Sequence, residues 1–422
     1  MKKVLLAIAV CLSLTNNVHG QQGHELVDGV VSKFQQYFNA GQTDSLYAMM
    51  SPRIQQLMPI DKTKAMMEQL HGQMGDLVSY KFSSREGKMT YYKVAFKNTN
   101  VLLVASTDDN NKMDVFRFMP DKTEEKKMAE AGASEISITR SGAVIHGTLT
   151  MPDLKGKVPV VLVIAGSGPT DRDGNSTMGV TSASYRLLAD SLRNAGIACV
   201  RYDKRGIGAS MAASQSEAEM SFDDMVNDAS GFIELLNKDD RFSGVTVAGH
   251  SEGSLVGMLA AAKAGAKKYI SIAGIADPAD KVLKLQLSSQ SAEMAKQAGV
   301  IMDSLKKGFD VKNVSSDLSI LFRPSIQPYM RSWLKYNPQT EIKKLKIPVL
   351  LLQGDNDLQV ATANARQLKK VMPAAKLVIF KDMTHALKNA GHDKEKNLAT
   401  YKNADLSLTP GLATAIISFI KK

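Results

Sequence analysis

The sequence predicts an α/β protein with a mostly parallel sheet and a helical cap insertion, preceded by a small α+β domain. Three observations carry this reading. Beyond Glu135 continuous apolar runs alternate with helical stretches, residues 276–346 keep helical spacing with no intervening strand run, and the chain before Pro120 reads as helices followed by short β-rich runs. With 422 residues, 44% hydrophobic and 23% charged, the composition is ordinary for globular chains, so disordered and membrane-bundle classes are excluded and two domains fit better than one.

At the amino end, Lys2 and Lys3 precede the apolar run Val4 to Leu14, and a polar stretch follows that ends Val18-His19-Gly20. This is the pattern of a signal peptide over residues 1–20, cleaved after about Gly20, and it predicts a periplasmic or secreted protein. A membrane span would need roughly 20 apolar residues. A lipid-anchored form would use Cys11, which however follows Val10 rather than a small residue. Removal of the signal leaves Cys199 as the single cysteine, inside the apolar segment Gly196 to Val200, so no disulfide can form within the mature chain. Such a cysteine reads as a small hydrophobe on a buried strand. The formal charge of +11 becomes +9 without Lys2 and Lys3. The remaining lysines are scattered rather than clustered with aromatics, which argues against nucleic acid as a partner.

The small domain spans residues 21–119. Leu26, Val30, Phe34 and Phe38 recur every four residues and predict a first helix, followed by helical stretches through Leu46, Met49 and Met50 and around Met66, Met67 and Leu70. The pattern then changes to strands over Leu77 to Phe82, Met89 to Phe96, Val101 to Ala105 and Val115 to Met119. Residues 120–134, charged and Ala-rich, read as a linker. In the second domain, residues 135–422, the runs Glu135 to Thr139 and Ala143 to Met151 predict an opening hairpin. Buried parallel strands are predicted over Val158 to Ile164, Ile197 to Tyr202, Val245 to Ala248, Tyr269 to Ala273, Ile347 to Leu352 and Leu377 to Phe380. Helices lie between them, among them Ser221 to Leu236 with Ser221 and Asp224 as a capping pair.

The run Val245 to Ala248 leads into Gly249-His250-Ser251-Glu252-Gly253 and then into a helix start, Ser254 to Met258. A serine on a tight strand-turn-helix connection projects its hydroxyl, and the flanking glycines are needed where a side chain would strike the neighbouring strand or helix. A serine hydroxyl attacks only when a histidine takes its proton, and a carboxylate must hold that histidine in one tautomer. Enzymes built around such an elbow carry nucleophile, acid and base in that chain order, with acid and base on loops after the later strands. Here one such loop holds Asp355 and Asp357, and the next ends in His385. Asp357 fits the spacing glycine, two residues, aspartate, two residues, valine, whereas Asp355 reads equally well as a turn cap. His392, His250 and His146 are the rivals of His385: the first is further out in a charged loop, the second adjoins the serine and should point elsewhere, and the third lies on the early hairpin.

Charge developing on a substrate oxygen needs backbone donors. The N–H of Glu252 is one, and Ser167 in the loop Ala165-Gly166-Ser167-Gly168-Pro169-Thr170-Asp171-Arg172-Asp173-Gly174-Asn175 is the other. A phosphate cradle would end in a Lys-Ser or Lys-Thr pair, which this loop lacks.

These motifs, together with Arg201-Tyr202-Asp203-Lys204-Arg205-Gly206-Ile207-Gly208, resemble those of bacterial carboxylesterases of the α/β-hydrolase fold, near the serine aminopeptidase branch, over about Ser134 to Lys422. The resemblance implies hydrolysis of short-chain carboxylic esters through an acyl-enzyme, a small-molecule substrate and no metal or organic cofactor. Asp203 and Arg205 read as loop braces. The residues before Pro120 resemble the small nuclear-transport-factor-like domains that precede some bacterial hydrolases. The alternatives are a serine aminopeptidase, which would want carboxylates in the cap to hold an amine, and a non-catalytic binding protein on the same scaffold. Between Ala276 and Lys346 twelve Lys and Arg stand against seven Asp and Glu, which tilts the reading towards esters.

Overall fold

The computed structural model describes residues 23–86, 88–120, 130–213 and 217–422. The predicted signal peptide and residues 121–129 of the predicted linker lie outside the described residues. What is described falls into two compact units that part at Glu130.

The first unit holds helices α1 (Gly23–Asn39), α2 (Thr43–Ala48), α3 (Pro52–Leu57) and α4 (Ile60–Met74), then an antiparallel meander of β1 (Leu77–Glu86), β2 (Met89–Phe96), β3 (Asn100–Thr107) and β4 (Met113–Pro120). Its core is α1 laid on the sheet, with the Phe34 and Phe116 rings tilted against each other at 4.2 Å between centres. The buried stripe of α1 is Val27, Val31, Phe34 and Phe38, with Val30 only half-buried. A strict four-residue spacing drifts around a helix of 3.6 residues per turn, so the face alternates steps of four and three.

The second unit is built on an eight-stranded sheet. Its strands are β5 (Ala133–Arg140), β6 (Ala143–Thr150), β7 (Val158–Ile164), β8 (Ala198–Tyr202), β9 (Phe242–His250), β10 (Lys268–Ile272), β11 (Val349–Gly354) and β12 (Lys376–Phe380). They lie side by side in the order β12-β11-β10-β9-β7-β8-β6-β5, all parallel from β12 to β8, with the β5–β6 hairpin antiparallel at one edge. β5 begins inside the span read as linker, because Ala133 pairs with Thr150 and continues the hairpin ladder. The chain runs from β7 out to β8 and returns on the other side of β7 as β9, so strand order reverses there. In open α/β sheets ligands bind outside the carboxyl ends of the strands at such a reversal.

Helices α5 (Ser184–Asn194), α6 (Phe222–Lys238) and α7 (Glu252–Ala264) cover the two faces, and Ser221 with Asp224 forms a reciprocal capping box on α6. Between β10 and β11 stands the helical insertion with α8 (Ala279–Ser288), α9 (Ala292–Lys306) and α10 (Gln327–Trp333), which buries its own cluster around Leu283, Ala298, Leu305 and Phe322. Helices α11 (Thr362–Val371) and α12 (Leu412–Lys421) complete the unit.

Buried ion pairs tie the loops at the carboxyl edge. Arg205 donates from Nε and Nη2 to the two carboxylate oxygens of Asp228, at 2.9 and 2.6 Å. Arg201 meets Glu130 at 2.6 Å and also Asp173, while Asp203 accepts from the Arg172 backbone and guanidinium and from Ala209 N–H. Asp203 and Arg205 are thus braces, as their place in the sequence suggested. Burial pushes the Asp228 carboxyl up against the pull of Arg205. The pair therefore contributes little net stability while each member depends on the other. Asp228→Ala should cost about 3–5 kcal/mol in denaturant titration because it strands a buried guanidinium, and joint replacement by Arg205→Met and Asp228→Leu should cost far less.

Candidate active site

β9 delivers the elbow. Ser251 sits at φ 56° and ψ −122°, a conformation that side chains rarely adopt, and its N–H donates to Ile272 O on the neighbouring strand at 2.9 Å. Both flanking glycines are required by contact rather than by turn geometry. A Cβ on Gly253 would lie 2.4 Å from Ala165 O and 2.5 Å from Ile164 O, and one on Gly249 would lie 2.1 Å from Gly253 O. Beneath the turn, Ser254 Oγ is 2.8 Å from both Tyr269 OH and Ser271 Oγ, and the Tyr269 hydroxyl also donates to Ser254 O, so a buried hydroxyl network fixes the first turn of α7 to β10.

The loop after β11 brings Asp357 to the loop after β12. Asp357 Oδ2 is 2.8 Å from His385 Nδ1, with both side chains almost fully buried. Its other oxygen accepts the N–H groups of Gln359 and Val360 at 2.8 and 2.9 Å, and Gln353 Nε2 donates to Oδ2 at 3.1 Å. Burial pushes the Asp357 carboxyl up, but the hydrogen bond and charge of His385 and the two backbone donors outweigh it and hold it below the usual carboxylate range. Asp355 is exposed and accepts the Asp382 N–H at 2.7 Å, a brace for a residue at φ 59°. Asp355, Asp382 and His392 bring ligand atoms within 4.8 Å of one another near the surface, where His392 Nε2 lies 3.4 Å from Asp382. His146 pairs with Glu135 at 3.1 Å on the hairpin.

His250, expected to point elsewhere, lies between His385 and Tyr185. Its ring lies 4.5 Å from that of His385, centre to centre, and its Nδ1 is 2.8 Å from the Tyr185 hydroxyl, which also accepts the Gly166 N–H at 3.4 Å. Burial and the neighbouring charge of His385 push the His250 imidazole down to about 3.

The loop after β7 packs on the elbow, since a Cβ on Gly166 would lie 3.1 Å from Ser251 Cβ. Lys204, just past β8, donates from Nζ to Gly166 O and, at 2.8 Å, to Gly168 O. Glu252 turns its carboxylate to α10, where Tyr329 OH donates to it at 2.9 Å. Burial pushes the Glu252 carboxyl up, opposed by the charge of Lys204 and by the Tyr329 hydrogen bond. A cavity of about 20 Å³ opens beside Ser251, lined by Glu252, Leu255, Ile275, Asp277, Ala279, Val282, Trp333 and Pro338. Tyr185, Lys204, Asp277 and Tyr329 were not marked in the sequence. Of these only Lys204 carried a signal, as the residue two places beyond a predicted buried strand.

A parallel sheet with a reversal at β7, a serine elbow at that reversal and a carboxylate–histidine pair on the last two strand loops define the class. The second unit has the α/β-hydrolase fold. The family described as "Serine aminopeptidase, S33" matches residues 176–327, a span that holds Ser251 but neither Asp357 nor His385, and "Protein of unknown function (DUF3887)" matches residues 31–116. Esterase EstD of Thermotoga maritima is 24% identical over 366 residues, covering 84% of this chain and 86% of the relative. Among solved structures, Est1E from Butyrivibrio proteoclasticus is 19% identical with a TM-score of 0.44, over 69% of this chain and all of that one. The esterase domain of a Rhodothermus marinus protein is 15% identical with a TM-score of 0.42, over 64% of this chain and 95% of that one.

A histidine held near 3 in the folded state titrates near 6.5 when unfolded, so between those values the unfolded chain binds the extra proton and stability falls as pH falls. His250→Asn should flatten this dependence: its melting temperature should drop less than that of the unaltered chain between pH 7 and pH 5, measured by circular dichroism.

Proposed function

We propose that this hydrolase is a carboxylesterase acting on short-chain esters through an acyl-enzyme on Ser251. The observation that carries the reading is the 2.8 Å contact of Asp357 with His385 Nδ1, beside an elbow that holds Ser251 in a strained conformation. Ser251 Oγ attacks the ester carbonyl carbon as its proton passes to His385, and the carbonyl oxygen takes the negative charge. The N–H groups of Glu252 and Ser167 receive that charge, the first at the positive end of α7. As the tetrahedral species collapses, the bond to the alcohol oxygen breaks and His385 returns the proton to it. Water then repeats the sequence on the acyl group, with His385 again as base. Asp357 remains ionised throughout, fixing the tautomer of His385 and stabilising its charged form. The mostly apolar walls of the cavity beside Ser251 suit an acyl group such as acetyl.

Asp277 and Glu252 both line that cavity, and a pair of carboxylates there also suits a free amine. This supports aminopeptidase action as the second reading. Purified mature protein should turn over p-nitrophenyl acetate far faster than aminoacyl anilides, and the opposite ranking would move the assignment to peptides. Export of the mature enzyme to the periplasm or beyond is part of the proposal, supported by the Lys2-Lys3 start and the apolar run to Leu14. Mass spectrometry of the native protein should find its first residue near Gln21.

Ser251→Ala should abolish ester turnover with the melting temperature nearly unchanged, and a fluorophosphonate probe should label Ser251 alone. Asp357→Asn should lower kcat on the order of a thousandfold, by favouring the wrong histidine tautomer, and Asp355→Asn should cost much less. Steady-state kinetics on p-nitrophenyl butyrate rank the two, and the reverse order would make Asp355 the acid.

A further inference from the structure

We propose that Lys204 is a positioning residue of the oxyanion pocket, holding the Gly166–Gly168 loop so that the Ser167 N–H faces the carbonyl bound at Ser251. The inference rests on the ester-hydrolysis reading above and adds a residue to it. Lys204 follows β8, the strand beside β7, so its anchor is the sheet and not the glycine-rich loop itself. Its Nζ donates to two carbonyls of that loop, Gly166 O and Gly168 O, the latter at 2.8 Å. In a trans peptide the carbonyl of one residue and the N–H of the next point in opposite directions. Fixing the Gly166 carbonyl on Lys204 therefore fixes the Ser167 N–H on the opposite side of the same peptide plane. The next anchored carbonyl precedes Pro169, which has no N–H, so the Gly168 contact shapes the turn without offering a second donor. Gly168 itself sits at φ +75°, where a loop without such an anchor has many alternatives.

The same ammonium group also acts electrostatically on the side chain of the residue that carries the second donor. Glu252, whose backbone N–H receives the oxyanion in the proposed mechanism, has its carboxylate within electrostatic reach of Lys204, and Tyr329 of the helical insertion holds that carboxylate at 2.9 Å. Lys204 thus bonds the loop that carries one donor and acts by charge on the residue that carries the other. Two of its three N–H donors are taken by carbonyls, which suits it to orient its neighbours, while burial pushes the ammonium below the usual lysine range against the charge of Glu252.

The test compares Lys204→Met, Lys204→Arg and Ser251→Ala in the full chain on p-nitrophenyl acetate. Lys204→Met should lower kcat on the order of tenfold to a hundredfold, with KM changed by less than about threefold. It should weaken inhibition by an aryl trifluoromethyl ketone, whose hemiketal oxygen occupies the oxyanion pocket, by the same factor as kcat/KM. Lys204→Arg, which keeps the charge and the donors, should recover part of both losses. An unchanged kcat, an effect confined to KM, or a fall in kcat without matching loss of ketone affinity overturns the assignment. If Lys204→Met lacks a native circular dichroism spectrum, Lys204→Gln is judged by the same criteria, and failure of both to fold overturns it as well, by making Lys204 a folding residue. Ser251→Ala separates this inference from the reading beneath it. Full activity there rejects the serine mechanism, whereas loss there with Lys204→Met unimpaired rejects the role of Lys204 alone.

Discussion

The first turn of α7 rests directly on the backbone at the end of β7, and nothing larger than a hydrogen atom fits between them at Gly253. That approach, with a Cβ position only 2.4 Å from Ala165 O, brings three segments to one point: the strained serine, the N–H groups that open α7, and the loop from Ala165 to Gly168. A close-packed interior does not yield to a small displacement. The positive φ of Ser251 is therefore maintained by its surroundings, by the Ile272 carbonyl beside it and by the Ser254–Tyr269–Ser271 hydroxyls below it.

Around this contact the charges are sorted by distance from Ser251 and His385. The strong buried ion pairs, those of Arg201, Arg205 and Asp203, close loops along the carboxyl edge and do not touch the elbow. At the elbow itself the ring packed against His385 is a histidine kept neutral by burial, so it adds no positive charge beside the Asp357–His385 pair. Asp357 is the carboxylate that meets His385, and four donors, counting His385, satisfy its two oxygens. An ionised carboxylate so surrounded can stay charged while the histidine beside it changes state.

The unit before Glu130 follows a different logic, since its core of aromatic rings and a four-stranded meander is complete without any group of the hydrolase chemistry. Its sequence pattern gave away its class because a meander pairs neighbours in the chain, and hairpin contacts are the ones that local alternation encodes.

Much of the second unit was legible because its central strands are buried on both faces. Runs such as Val158 to Ile164 are apolar throughout, and the serine, the two aspartates and the histidine each stand directly after such a run. Residue type and chain order were enough to single out Ser251, Asp357 and His385 as candidates, with Asp355 as a rival to Asp357, because two residues on one turn differ only in which way the turn directs them. The geometry puts Asp357 on the histidine and Asp355 on the Asp382 backbone. The contacts of Lys204, Tyr185, His250 and Tyr329 could not be read in this way. These residues meet because β8 and β9 flank β7 and because the insertion after β10 returns Tyr329 to Glu252, 77 residues away in the chain. Periodicity and spacing report which face of its own strand or helix a residue occupies. Which other face it meets depends on strand order and on the return of long insertions, and only the tertiary structure decides that.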